Sequence, residues 1–313
     1  MSGPGKPPFR HETVLPHETV GALRPRPTGV WMDGTAGGGG HTELLLEGVR
    51  PGGRVLAFDR DPMAVEALNE RFAGEPAVTV IHGNFFEARR ILEPLGIGEL
   101  AGVLLDLGVS SPQLDLAERG FSYNHEAPLD MRMDQAGRTA ADLVNTLPEA
   151  ELRAILWDYG QERYAASMAK AIVRARAKKA IETTTELAEL LSRAVPAAAR
   201  RDGHPARRAF MALRYSCNNE LDGLDAALRD LFELLCVGGR LACIGFNSLE
   251  DAAIKRAFRP LLEGCTCPAE FPICICDKTP RGRQQKSILP SKEELERNPR
   301  ARSAKLRVIE KIK

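Results

Sequence analysis

Four groups of residues could do chemistry by their type and spacing. The first is 33-DGTAGGGGH-41, an acid followed by a run of glycines, directly after the apolar 30-VWMD-33. The second is Asp59, the acid that closes 54-RVLAFD-59. The third is Asp106, at the end of 101-AGVLLD-106, with Ser110, Ser111, Pro112 and Gln113 shortly after it. The fourth is 265-CTCPAEFPICIC-276, which places Cys265, Cys267, Cys274 and Cys276 within one short stretch.

Consecutive glycines suit either a slack joint or a loop whose backbone approaches something too closely for a Cβ. In doubly wound α/β folds the turn after the first strand lies under a nucleotide-like ligand, at the carboxyl ends of the strands. Dinucleotide sites place G-x-G-x-x-G directly after the strand, so that pyrophosphate meets a helix N-terminus. Here the strand ends in Asp33 and the glycines come later. A carboxylate repels pyrophosphate but suits a ligand carrying an ammonium and a sulfonium, which is S-adenosylmethionine. Asp59 is placed to accept hydrogen bonds from ribose hydroxyls, although that device serves either ligand. Phe85, in 82-HGNFF-86, would pass the adenine region and pack on the purine, or else belong to the core.

Enzymes that methylate exocyclic amines usually carry a small polar residue followed by Pro-Pro-aromatic after the fourth strand. Here Ser110-Ser111-Pro112-Gln113 holds that place without the aromatic. The lone pair of an aromatic amine is delocalised into its ring, so acceptors that hold the N–H groups can turn it toward a methyl donor. Asp106 is expected to border the methyl pocket. Ser110, Ser111 and the Pro112 carbonyl are the candidate acceptors, and no histidine is needed as a strong base.

The elements that must position these residues read clearly between residues 30 and 108. Short apolar runs alternate with helical ones, the pattern of βαβ units around a parallel sheet covered on both faces. After 109-VSSPQLDLAERGFSYNHEAPLDMRMD-134 only helical patterns follow for about a hundred residues. The α/β rhythm returns with 220-ELDGLDAALRDLFELL-235, 240-RLACIGF-246 and 249-LEDAAIKRAFRPLL-262, and ends on 286-KSIL-289 and 305-KLRVIEKI-312. The organisation expected is a sheet domain in two parts, 1–130 and 216–313, with a helical insert at 131–215.

Composition is that of a soluble globular chain, 43% hydrophobic and 27% charged. The start, MSGPGKPPFRHETV, has no apolar run after its basic residues, and no stretch of about eighteen apolar residues occurs. The expectation is a cytoplasmic protein with no membrane segment. A net charge of +1 conceals a basic end: residues 278–313 hold twelve Lys and Arg against four Glu. Together with 200-RRDGHPARRAFMALR-214 this suggests a polyanionic partner, against the plainer reading of solvated faces and internal salt bridges. Seven cysteines in a chain of this kind argue against disulfides. C-x-C-x6-C-x-C offers the four thiolates of a structural zinc site, although C-x2-C is the usual spacing. Reduced, partly buried thiols are the alternative.

The run 105-LDLGVSSPQLDLAERGFSYNHEAPLDMRMD-134 resembles the signature of the bacterial 16S ribosomal RNA (cytosine-N4) methyltransferases, the RsmH (MraW) type. The likeness continues in order through 11-HETVLPHE-18, 33-DGTAGGGGH-41, 58-FDRDP-62, 204-HPARRAFMALR-214, 248-SLED-251 and 298-NPRARSAKLRV-308. It implies a class I methyltransferase fold, α/β and Rossmann-like with a mostly parallel seven-stranded sheet, and an inserted all-helical domain. It also implies methyl transfer from S-adenosylmethionine to N4 of a cytosine in the P-site region, cytosine 1402 of 16S rRNA in the 30S subunit. The family's cofactor contacts fall on Gly39, Gly40, His41, Asp59, Phe85, Asp106 and Gln113. His41 and Gln113 come from the resemblance alone.

There are departures. Asn247 stands where the family usually has histidine and Ala252 where it has arginine, and the helical-insert motif reads 204-HPARRAFMA-212, without the usual Thr and Gln. They leave two other readings open, a cofactor-binding assembly factor without catalysis and a methyltransferase for another RNA or a protein; a dinucleotide oxidoreductase stands further off, because the acid before the glycines disfavours pyrophosphate. A homodimer is among the assemblies left open.

Overall fold

The computed structural model describes residues 13–265, 267, 273, 275–276 and 278–313. By backbone proximity the chain divides into two compact units, 1–108 with 223–313, and 109–222.

The first unit is built on a seven-stranded sheet: β1 Val30–Asp33, β2 Arg54–Asp59, β3 Val78–His82, β4 Leu100–Asp106, β5 Leu235–Gly245, β6 Gly282–Gln284 and β7 Lys305–Lys311. The order is β3-β2-β1-β4-β5-β7-β6. β1 pairs in parallel with β2 and β4, and only β7 runs against its neighbours. This is the class I methyltransferase arrangement expected from the sequence. Trp31, Met32, Val55, Leu56, Phe58, Val103 and Leu104 are all but inaccessible, as strands covered on both faces require. The covering helices are α1 Pro16–Leu23, α2 Gly40–Val49, α3 Pro62–Arg71 and α4 Ala88–Leu92 before the excursion into the second unit. Pro62 sits in the first turn of α3, where its missing N–H costs nothing, and Asp61 caps that helix by accepting the Met63 N–H.

The second unit is all helical: α5 Ser111–Asp115, α6 Ala140–Thr146, α7 Glu149–Asp158, α8 Ala165–Arg176, α9 Thr184–Arg193 and α10 Ala206–Asn218. Capping boxes start α6 (Thr139 with Asp142) and α9 (Thr183 with Glu186). Leu152, Leu156, Met168, Ile172, Leu187, Leu191 and Leu213 form its core, and Phe121, Leu129, Met131 and Met133 join the same cluster. That is why the helical unit begins at Val109, whereas the sequence suggested residue 131: the irregular 109–134 segment carries apolar anchors into this core. The far boundary falls at Asp222 rather than 215, because α10 runs on to Asn218. Back in the sheet unit follow α11 Leu224–Glu233, α12 Ser248–Leu262 and α13 Lys292–Arg297.

The expected strand at 286–289 is instead β6 at Gly282–Gln284, with Ile288 reduced to an isolated bridge to Leu306. Among the described residues no helix is long and apolar enough to cross a membrane.

Candidate active site

The carboxyl ends of β2, β1 and β4 lie side by side, and each ends in an acid: Asp59, Asp33 and Asp106. The chain after β1 is no slack joint. Gly34 N–H donates to the Leu104 carbonyl and Ala36 N–H to the Phe58 carbonyl, both at 2.8 Å, so the loop continues the ladder to both neighbours. Thr35 hydrogen-bonds twice: its N–H donates to Asp33 Oδ1, and its hydroxyl accepts the Asp106 N–H at 2.6 Å. Gly37 N–H then donates to Asp59 Oδ2 at 2.7 Å, and Arg71 donates to the Gly38 carbonyl.

The glycines are required for different reasons. Gly37 and Gly39 take left-handed φ values of 51° and 80°, which cost an L side chain energy. A Cβ on Gly39 would come within 2.8 Å of the Phe72 ring, and one on Gly40 would collide with the Thr13 hydroxyl. Tight packing of the loop on its own protein therefore accounts for Gly39 and Gly40, a constraint added to any ligand contact. Together they bring the first turn of α2 close to the strand ends.

His41 is buried on α2, its Nε2 3.0 Å from the Val14 carbonyl and its Nδ1 3.9 Å from Asp106 Oδ2. Phe85 begins a short 3-10 turn, its Cβ next to Gly34 and its ring edge-on to Phe86. Asp33, Gly37–His41, Asp59, Phe85 and Asp106 thus all belong to one unit, and Asp33, Gly37, Asp59, His41 and Asp106 are linked through the contacts above.

Electrostatics mark the site out. Burial pushes Asp33 up to about 7, against the pull of hydrogen bonds from Thr42 and Thr35, and the Asp59 charge adds to the rise. Burial also raises Asp59 to about 6, opposed by the Asp61 and Gly37 N–H groups. Asp106 is driven well above the ordinary carboxylate range by burial first, and then by Asp33 and Glu250. Glu250, on α12, is a fourth acid that the sequence did not single out. It is buried and accepts the Phe246 N–H at 2.7 Å. Asp106 Oδ1 is inaccessible to solvent and has no hydrogen-bond partner among the described residues. An orphaned carboxylate oxygen among acids that resist ionisation is a place for a cation or a strong donor. An ammonium and a sulfonium meet that need, and a pyrophosphate does not, so the residues fit S-adenosylmethionine.

The residues after Asp106 sit in the helical unit. Ser110 and Gln113 form the capping box of α5: the Ser110 N–H donates to Gln113 Oε1 at 3.0 Å, and the Ser110 side chain accepts the Gln113 N–H. Gln113, expected at the cofactor, also holds a helix start. Ser111 and Pro112 are buried, and the Pro112 carbonyl accepts the Leu116 N–H at 3.0 Å, leaving one lone pair.

Of the basic residues, Arg214 pairs with Glu220 at 2.9 Å and Arg307 with Asp251 at 2.6 Å, so both serve internal structure. Arg207, Arg208 and Arg302 are exposed. Asn247 is the N-cap of α12, accepting the Leu249 and Glu250 N–H groups. Cys265, Cys267 and Cys276 come together, and Cys274 lies outside the described residues.

The profile of the MraW methylase family matches residues 8–312. The ribosomal RNA small subunit methyltransferase H of Geobacter sp. (strain M21) is 50% identical over 311 residues, covering 97% of this chain and 99% of that one. The protein of the same name from Brevibacillus brevis is 48% identical over 97% of this chain and 98% of its own. An rRNA methylase structure from Streptococcus thermophilus aligns over 98% of both chains, with 12% identity and a TM-score of 0.41, too loosely to argue from.

Proposed function

The chain belongs to the MraW methylase family, and we propose on that footing that it uses S-adenosylmethionine to methylate ribosomal RNA of the small subunit. The finer reading is transfer to N4 of a cytosine in the decoding region of 16S rRNA, cytosine 1402. The observation that carries the donor half is the row of acids Asp59, Asp33 and Asp106 at neighbouring strand ends, with Asp106 Oδ1 unpartnered among the described residues. The acceptor half rests on the names of the relatives and on the family resemblance.

S-adenosylmethionine, when bound, supplies an electrophilic methyl group on a positively charged sulfur. The roles of the protein side chains follow from charge and position. Asp59 accepts ribose hydroxyls while its hydrogen bond from Gly37 keeps the glycine loop in place. Phe85 lines the adenine side. Gly39, Gly40 and His41 present the first turn of α2. Asp106 places an unsatisfied acceptor beside the methyl pocket, held in register through Thr35. Ser110, Ser111 and the Pro112 carbonyl, a few residues further along the chain, are the proposed acceptors that turn the N4 lone pair toward the methyl group. The nitrogen becomes acidic as it gains the methyl, so its proton leaves without a dedicated strong base. The target cytosine must be unpaired or extruded to be reached, and the exposed Arg207, Arg208 and Arg302 offer phosphate contacts. Zinc has no part in this transfer.

The rival reading, a cofactor-binding assembly factor, rests partly on Asn247, which does ordinary work as a helix cap. Incubation with S-adenosylmethionine labelled in the methyl group and assembled small subunits, followed by separation of RNA from protein, tests the proposal. Label in the RNA is expected. Label in ribosomal protein, or tight donor binding with no transfer at all, would overturn it.

A further inference from the structure

Away from the strand ends, the connection from α12 to β6 brings three thiols together. The Sγ atoms of Cys265, Cys267 and Cys276 all lie within 4.8 Å of one another. Cys265 and Cys276 sulfurs are 3.7 Å apart, far beyond the about 2.05 Å of a disulfide. Zn–S bonds of about 2.3 Å at the tetrahedral angle set two sulfurs about 3.8 Å apart. The tight C-x-C spacing speaks against zinc in the sequence, but the folded segment brings the sulfurs of Cys265 and Cys267 within reach of one centre all the same. Backbone N–H groups point at them: Cys267 N–H at Cys265 Sγ and Ile275 N–H at Cys267 Sγ, each at 3.4 Å. Backbone donors aimed at sulfur are the outer contacts that orient metal-binding cysteines.

We propose that Cys265, Cys267 and Cys276 hold one zinc ion in a structural site. The sequence offers a fourth thiolate in Cys274, which lies outside the described residues. Binding releases the thiol protons to solvent as the Zn–S bonds form, with no change of oxidation state. A soft thiolate set selects zinc over the hard cations, and the connection it would tie down has no part in the methyl transfer.

The surroundings supply a reason for a metal. Ile273 and Ile275 are 75% and 71% exposed, and the described residues between Cys265 and Cys276 form no helix or strand. Apolar side chains left exposed do nothing to offset the ordering entropy of the segment that carries them. Its ends are tied: Arg281 N–H donates to the Leu261 carbonyl at 2.9 Å, and Lys278 pairs with Glu263 at 3.3 Å. A metal would fix the stretch between those ties. The inference is independent of the methyl-donor reading.

The test uses the full chain, purified under reducing conditions without chelator. Elemental analysis should find one zinc per chain. Replacement by cobalt(II) should give thiolate-to-metal charge-transfer absorption and the intense visible bands of a tetrahedral site. Cys265→Ser combined with Cys276→Ser should abolish both signals while S-adenosylmethionine affinity stays unchanged, and Cys217→Ser should leave them intact. Two results overturn the proposal even if the double variant fails to fold: wild-type chain with Cys265, Cys267 and Cys276 freely reactive to a thiol reagent and no metal, or a mass lowered by two hydrogens for a cysteine pair. Loss of donor binding together with the zinc in a folded variant would contradict a purely structural site.

Discussion

The ends of β1, β2 and β4 bring three carboxylates close together, and desolvation holds each of them back from ionising. With folded pKa values raised to about 7 for Asp33 and about 6 for Asp59, the empty site takes up protons as the pH falls through that range. A sulfonium favours the ionised forms. S-adenosylmethionine should therefore bind more tightly as the pH rises from about 5 to about 8, with proton release at the lower values. S-adenosylhomocysteine, which lacks the sulfonium charge, should show a shallower slope. Calorimetry with both ligands in buffers of different ionisation enthalpy checks this, and equal slopes would refute the role given to the acids. Asp106→Asn keeps the shape and removes the charge. It should weaken S-adenosylmethionine by roughly tenfold to a hundredfold, the scale of a hydrogen bond to a charged group, and S-adenosylhomocysteine by much less. At this scale Asp33, Asp59 and Asp106 were legible because each ends an apolar run. Glu250 was not: it lies on a helix far along the chain, and only the tertiary fold sets its charge against Asp106.

The elements that carry these residues are held by contacts that can be broken singly. Gly40→Ala should destabilise the protein by about 1–3 kcal/mol through overpacking on Thr13. Thr13→Ala should recover much of that loss, and a double-mutant cycle of thermal unfolding would show the coupling. Without recovery, the steric account of Gly40 is wrong. In the helical unit, buried Asn218 accepts the Met133 N–H and donates to the Met131 carbonyl, both at 2.7 Å, and so fixes the 131–133 segment to α10. Asn218→Ala leaves both groups unpaired and should cost about 2–4 kcal/mol in denaturant unfolding. The strands of the parallel sheet were legible as unbroken apolar runs. Helices α1, α5, α10 and α13 were not, and two of these are short and fixed by local bonds: α5 is a single capping box, and α13 follows the Ser291 cap. β6, at a sheet edge and only Gly282–Gln284 long, has no apolar period to betray it.

Across the whole molecule the two-unit division was legible from the change of rhythm after Gly108, but the boundary was not, because Phe121, Leu129, Met131 and Met133 enter the helical core from irregular chain. Charge that looks uniform in sequence sorts in the fold into residues spent inside, such as Arg214 and Arg307, and residues left outside, such as Arg207, Arg208 and Arg302. Replacing both Arg207 and Arg208 with Glu should weaken binding to small subunits and flatten its dependence on salt, while Arg214→Glu should act on stability instead. Filter binding across a salt series separates the two effects. The most direct measurement of all is the identity of the product. Small subunits that have taken up label from S-adenosylmethionine are digested to nucleosides and analysed by mass spectrometry. The account predicts N4-methylcytidine, with the label reduced in the Asp106→Asn variant at donor concentrations that saturate the wild type. Label in any other nucleoside, or in a cytidine methylated at another atom, would contradict it.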